Sequence, residues 1–578
     1  MKNLDLLPRW FIERAGSRLS VLYGPQRSPE VFGRLVPLLV EQGIASKHEE
    51  KPKWSERDAI LICYGDSIRS PDETPLHTLH EFVRKNLSDV INCVHILPFF
   101  PYSSDDGFAV VDYQAVNSEL GDWDDIENLS QDFGLMMDLV INHVSREHPW
   151  FVDYLRDELP GRDFFIELPP DTDVSMVVRP RNHPLLTPVH TRHGVKYLWA
   201  TFSEDQIDLN FSNPDVLLAF VEILLMYVRM GARFIRLDAV AFLWKTVGTR
   251  CIHLRETHEV VKLLRDILEV TAPHVVLLTE TNVPNGENLS YFGHSDEAHM
   301  VYQFTLPPLL LHAMHNGTSQ YLTDWSADMP RPPKGCTYMN FVASHDGIGL
   351  RPTEGLLPPE DLKELVASMH RYGGFVTMRS NGDGTESPYE INISLFDALS
   401  GTRHGRDAWQ VQRFVCCQTI MFALQGIPAL YIHSLTATPN DRDLVDKTGR
   451  TRSINRHKWE SETLNALLAN GMTPNAQVFD ELRRLLSIRR KQAAFHPDSR
   501  QETLRMGHGL FGVIRESVDG RHALYAISNV TDQVQSFSLT DHRKADRSRA
   551  WYELIRGAPI DISASCTLQP YQTVWISG

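Results

Sequence analysis

An eight-stranded parallel α/β barrel, the (β/α)8 or TIM barrel, is the fold this sequence predicts, and three observations predict it. Eight strand-length apolar runs recur along the middle of the chain. Helix-compatible segments separate most of them. Several runs end in charged or polar residues. Nearly continuous apolar strands are buried on both faces, as in a parallel sheet covered by helices. Eight of them suggest a closed barrel, in which every strand ends at one rim, where active sites are built.

The elements follow in order. Residues 1–57 read as a helical, polar extension. The strand series is "AILICYGD" (59–66), "VINCVHILPFF" (90–100), "GLMMDLVINH" (134–143), "RFIRLDAV" (233–240), "VVLLTETN" (275–282), "MVYQFTLP" (300–307), "YMNFVASHD" (338–346) and "IPALYI" (427–432). "VLLAFVEILLMYVRM" (216–230) reads as a helix opened by Asn213-Pro214 and closed by Gly231. The barrel is assigned to 58–143 and 206–495. Two connections exceed the usual loop length. Residues 144–205, rich in Pro, Asp and His, are expected to form a small inserted lobe after the third strand. Residues 350–395, with "SNGDGTESPYEIN", read as loop with local turns. Residues 496–578 change character: "LFGVIRES", "HALYAISNV" and "VQSFSL" alternate as antiparallel strands do, so a terminal β-domain is expected.

At 578 residues the chain exceeds the ~250–300 at which one core stops growing. Its net charge of −16 disfavours nucleic acid, which needs a basic face. The apolar stretches of "MKNLDLLPRWFIERAG" are too short and too broken for a signal peptide. The 216–230 segment is shorter than a membrane span and carries Glu222 and Arg229. Seven cysteines, an odd count with no CxxC pair, read as reduced core residues. A cytoplasmic monomer or homodimer is expected, acting on small molecules without membrane or nucleic-acid partners.

Arg236 and Asp238 sit inside the apolar run "FIRLDAVAF" and point to the same strand face. Taking two charges out of water costs several kcal/mol each unless they are paired or used. Other runs end in Asp138/Asn142/His143, in Glu280 and in His345/Asp346. Barrel geometry brings Asp238, Glu280 and Asp346 to one rim, with Arg236 as counter-charge to Asp238. A carboxylate pair flanking a glycosidic bond is the machinery of glycoside cleavage.

"DLVINH", "FIRLDAVAF", "LLTETN" and "FVASHDGIG" resemble, in order, the four short motifs of the α-amylase superfamily, and "QIDLN" (206–210) resembles its fifth. The resemblance implies Asp238 as nucleophile, Glu280 as general acid/base and Asp346 as transition-state stabiliser. It implies that Arg236 supports the nucleophile and that His143 and His345 bind the glucosyl ring. "HILPFFPYSSDDGF" and "TGRTRSINRH" resemble the sucrose phosphorylase branch. That match implies Asp105 and Arg452 at the far hydroxyls of glucose, with Phe108 and Phe202 lining the pocket. Arg181, in "VVRPRNHP", matches a phosphate-contacting Arg of that branch. Arg179, Arg450 and Arg456 add positive charge nearby.

The acceptor side departs from sucrose phosphorylases. "YEIN" (389–392) stands where that branch has Tyr-Gln-Val-Asn, and Phe242 where it has Tyr. Tyr389 and Glu390 are thereby placed at the acceptor. "DGTESPYEIN" resembles the glucosylglycerate-specific group of the branch. The activity implied is conversion of 2-O-α-glucosylglycerate and phosphate to α-D-glucose 1-phosphate and D-glycerate. Sucrose, sucrose 6-phosphate or glucosylglycerol phosphorolysis stay open, as do α-glucoside hydrolysis and an inactive binding scaffold. No metal and no cofactor are implied; phosphate is a substrate.

Overall fold

The computed structural model describes residues 4–44, 52–181, 183–380, 385–539 and 550–578. Eight parallel strands close the barrel. They are β1 (Ile60–Cys63), β2 (Cys93–Ile96), β3 (Gly134–Val140), β4 (Ala232–Asp238), β5 (Val276–Thr279), β6 (Met300–Tyr302), β7 (Thr337–Asn340) and β8 (Ile427–Tyr431). Each lies within one of the eight apolar runs or begins one residue before it, as β4 and β7 do, because a strand enclosed between barrel core and helices has no solvent face to mark with polar residues. β8 pairs with β1 and closes the ring.

The 216–230 helix is Pro214–Arg229. Asn213 caps it by accepting a hydrogen bond from the Asp215 N–H, and Pro214 sits at its first turn. After β3, the helix Pro149–Arg156 and the hairpin Leu186–Thr191/Gly194–Trp199 build the inserted segment. At the C-terminus, Arg500–Leu504, Leu510–Glu516, Ala523–Asn529 and Thr573–Ser577 form the main run of a six-stranded antiparallel sheet. Among the described residues, no helix is long and apolar enough to cross a membrane.

Two expectations are corrected. The N-terminal segment is helical, Arg9–Gln42 with a break at Gly24, but it is not a polar extension. It buries Phe11, Leu19, Leu35 and Leu39 in the core shared with the barrel. Its Arg18 reaches Asp266 Oδ2 at 2.6 Å on the helix Arg255–Thr271, which joins β4 to β5. The segment 350–395 is not chiefly loop. It holds the helix Pro359–Arg371 and the antiparallel strands Phe375–Ser380 and Glu386–Asn392, the second paired also with Ile348–Gly349. Residues 381–384 of "SNGDGTESPYEIN" lie outside the described residues.

Candidate active site

Strand β4 explains the charges inside an apolar run. Arg236 is 2% exposed and lies beside Asp138 of β3 in register. Its Nη1 donates to Asp138 Oδ1 and, at 2.7 Å, to Asp238 Oδ1, while its Nε donates to the Tyr302 hydroxyl at 3.0 Å. The second Asp138 oxygen meets His95 Nε2 at 2.7 Å. Arg236, Asp138 and Asp238 are thus paired with one another, as an interior requires. Against the effect of burial, His95 and Arg236 hold the Asp138 carboxyl down at about 2.

Glu280 follows β5, and its N–H donates to Leu237 O at 3.0 Å. Ala239, directly after Asp238, has φ 51°, a left-handed conformation that costs a non-glycine residue ~1–2 kcal/mol. That turn aims the Ala239 N–H at Glu280 Oε2, 3.2 Å away. The residue next to one carboxylate thus orients the other. Burial pushes both Asp238 and Glu280 above the usual carboxylate range, and the Asp346 charge adds to it in each case.

Asp346 behaves oppositely. Arg452 Nη1 donates to its Oδ1 at 2.5 Å, and Arg456 Nη2 stands 3.9 Å off. Burial raises its pKa, but the Arg452 and Arg456 charges outweigh burial and hold the group well below the carboxylate range. Burial also keeps both rim histidines neutral: His143 is lowered, and His345 falls to about 3. Asn142 Nδ2 donates to His143 Nδ1 at 3.2 Å, leaving the Nε2 proton for Phe108 O at 3.0 Å. The Phe108 and His345 rings stack, with centroids 5.1 Å apart and planes 7° from parallel.

The three carboxylates meet in a cavity of about 80 Å³ at the C-terminal rim. Asp105, Phe108, His143, Arg181, Phe202, His345, Tyr389 and Arg452 line it with them. Arg236 lies beneath Asp238. A wider cavity of about 440 Å³ shares Asp105, Arg181, Tyr389 and Arg452 and adds Glu390, Arg450 and Arg456. A third, of about 550 Å³, borders the C-terminal sheet at Trp325, Gln425 and Arg500, and none of the strand-end carboxylates lines it.

Glu390 lines the wider cavity while its carboxylate is held by an arginine. It is 1% exposed, and Arg452 takes both its oxygens, Nε to Oε1 at 2.9 Å and Nη2 to Oε2 at 2.5 Å. Gly347 makes room for it: a Cβ there would lie 2.4 Å from Glu390 Cγ. Arg452 therefore sits between Glu390 and Asp346. Arg450 and Arg456 are not free cations, since both bind Asp106. Arg181 sits over the Tyr389 ring, 5.7 Å from its centroid, and its one hydrogen bond among the described residues goes to the Pro180 carbonyl at 3.4 Å. Arg179 has buried Nε and Nη2 atoms without partners and lies outside both rim cavities.

Three lining residues escaped the sequence reading: Gln206, Ala239 and Asn282. Gln206 Nε2 donates to Asp105 Oδ2 at 3.2 Å and to Phe108 O at 3.3 Å. Asn282 presents a buried Oδ1 without a partner. Gln206 and Asn282 lie in or beside quoted motifs, "QIDLN" and "LLTETN", so position within a motif was the usable signal.

Residues 87–347 match the family described as "Alpha amylase, catalytic domain". The glucosylglycerate phosphorylase of Escherichia coli (strain K12) is 42% identical, over 96% of this chain and 98% of that protein. That of Allomeiothermus silvanus is 44% identical, over 96% and 97%. Among solved structures, sucrose 6F-phosphate phosphorylase from Thermoanaerobacter thermosaccharolyticum superposes with a TM-score of 0.71 at 25% identity, covering 82% of this chain and 94% of that one. A barrel with three rim carboxylates, two neutral histidines and an arginine beneath the strand-end aspartate is the architecture of a glycoside-processing enzyme. The chain belongs to the α-amylase family.

Proposed function

We infer that this chain is an α-glucoside phosphorylase that transfers glucose from 2-O-α-glucosylglycerate to phosphate, giving α-D-glucose 1-phosphate and D-glycerate. The observation that carries this is sequence identity of 42–44% along nearly the whole of both chains to two glucosylglycerate phosphorylases. The residues supply a coherent route. Arg236 donates to Asp238 and makes no hydrogen bond to Glu280 among the described residues, so this reading gives the ionised, attacking form to Asp238 and the proton to Glu280. Asp238 then attacks the anomeric carbon while Glu280 protonates the departing glycerate oxygen. A glucosyl ester on Asp238 results. A phosphate oxygen attacks that ester, Glu280 takes back the proton, and Asp238 is released. Asp346, held ionised, accepts from ring hydroxyls, and the neutral His143 and His345 orient the sugar. Asp105 and Arg452 bound the far end of the glucosyl pocket, against Phe108 and Phe202. Seven unpaired cysteines, six of them buried, support a reducing compartment, the cytoplasm.

The test is an acceptor screen in synthesis. Glucose 1-phosphate is offered with D-glycerate, fructose, fructose 6-phosphate or glycerol, and phosphate release is followed. D-Glycerate should give the fastest release and an α-linked product by NMR. Faster release with fructose overturns the acceptor. A β-linked product overturns the double displacement, which needs carboxyl groups ~5–5.5 Å apart.

Arg181 supports the anion step. It lines both rim cavities and engages no carboxylate among the described residues. Losing a hydrogen bond to a charged group costs ~1.5–3 kcal/mol, roughly ten- to a hundredfold. Arg181→Ala should lower the ratio of phosphorolysis to hydrolysis by that factor, with hydrolysis persisting. An unchanged ratio and phosphate KM would remove Arg181 from this role.

A further inference from the structure

Asp105, Asp106 and Gly107 have φ of 53°, 49° and 113°. Three successive left-handed residues, two of them not glycine, form a turn that the chain does not adopt by local preference. Such backbone persists only where its surroundings over-determine it. Gly107 is required for a separate reason: a Cβ there would stand 2.6 Å from Pro98 O. The Asp105 side chain, at the start of the turn, faces both rim cavities.

What holds the turn is the next side chain. Asp106 Oδ1 accepts from Arg450 Nη1 at 3.3 Å, and Asp106 Oδ2 binds Arg456 Nη1. Arg456 is 4% exposed, and its Nε donates to His345 O at 2.9 Å. Its guanidinium lies 5.6 Å from the Tyr64 ring centroid. The turn after β2 is thereby tied across the rim to the segment after β8 and to the backbone between β7 and Asp346. Asp106 itself is absent from the wall of the inner cavity.

We propose that Asp106 is a positioning residue, whose ion pairs with Arg450 and Arg456 lock the left-handed turn and so aim the Asp105 carboxylate at the glucosyl unit. This rests on the reading of Asp105 as a glucosyl-binding group. Asp106 acts through Asp105, so the two are not independent sites, and their effects should not add.

A double-mutant cycle on the full-length enzyme tests it, with KM for glucose 1-phosphate, kcat and melting temperature measured for each variant. Asp105→Ala should raise KM for glucose 1-phosphate at least tenfold. Asp106→Ala should raise the same KM severalfold with a smaller change in kcat. Adding Asp106→Ala to Asp105→Ala should change KM no further. Asp106→Asn, which tolerates the left-handed backbone but lacks the charge, serves as the second variant should Asp106→Ala fold poorly. Arg450→Ala, at the exposed end of the latch, should move KM in the same direction by less. If Asp105→Ala leaves KM unchanged, the glucosyl reading of Asp105 falls, and the proposal with it. If Asp105→Ala acts but the Asp106 variants do not, or the two effects multiply, the latch alone is overturned. A fall in melting temperature with wild-type KM would likewise mark Asp106 as merely structural.

Discussion

Asp238→Asn is expected to abolish turnover while the protein stays folded. The substitution keeps the shape and removes only the charge proposed to attack the anomeric carbon. Removing a covalent nucleophile costs on the order of 10⁴-fold or more in kcat. The fold survives because Arg236 keeps Asp138, which is fully buried and itself anchored by His95. Loss of one buried carboxylate from a site crowded with them also relieves repulsion, so the melting temperature should hold or rise. Rates in both directions, with circular dichroism, check this. Activity within tenfold of wild type would take Asp238 out of the reaction.

Arg236→Met should be the most destabilising single change at the rim. It preserves much of the side-chain volume and leaves Asp138 and Asp238 without the cation between them. Breaking a buried ion pair by removing one partner costs ~3–5 kcal/mol, a large share of the stability of any domain. The sign of the pH dependence follows from Asp138. Its folded-state carboxyl lies near 2, below the unfolded value, so it contributes stability above the unfolded value that is lost as pH falls through the folded one. His95 supplies part of that depression and remains. The variant should therefore lose stability at neutral pH and show a shallower acid-side decline than the wild type. Denaturation midpoints at pH 7 and pH 3 measure both. A variant as stable as wild type at pH 7 would show that Asp138 and Asp238 do not depend on this cation.

The barrel strands were legible because burial on both faces writes itself as apolar runs. Their charged ends were legible because nothing else accounts for Arg236 and Asp238 in such a run. The N-terminal helix was readable too, since Phe11, Ala15, Leu19 and Leu22 recur at helical spacing, but its many charged positions masked the stripe. The 350–395 segment misled through its turn residues. Strand Glu386–Asn392 contains Ser387 and Pro388, weak strand formers, and tertiary pairing with Phe375–Ser380 and Ile348–Gly349 overrides them. At the site, sequence could single out Asp105 only by resemblance. Asp105 and Asp106 are the same residue type side by side, and only the backbone separates the one facing the cavity from the one held by arginines. The motif places Glu390 on the acceptor side, and what it does not disclose is the pairing of both its oxygens with Arg452, 62 residues away in sequence.

The helix Arg9–Gln42 has a practical corollary. It would be a natural stretch to trim when preparing the enzyme, since the barrel begins only at Ile60. Trimming it would strip an apolar cover from the outer helices and leave Asp266, 1% exposed in the intact chain, without its nearest cation. The uncovered surface would invite self-association. The damage would also fall on Arg255–Thr271, the span between the strand that ends in Asp238 and the strand that precedes Glu280. The helix Arg9–Gln42 is a brace on the outside of the barrel, fastened to the stretch of chain that joins the strands leading to Asp238 and Glu280.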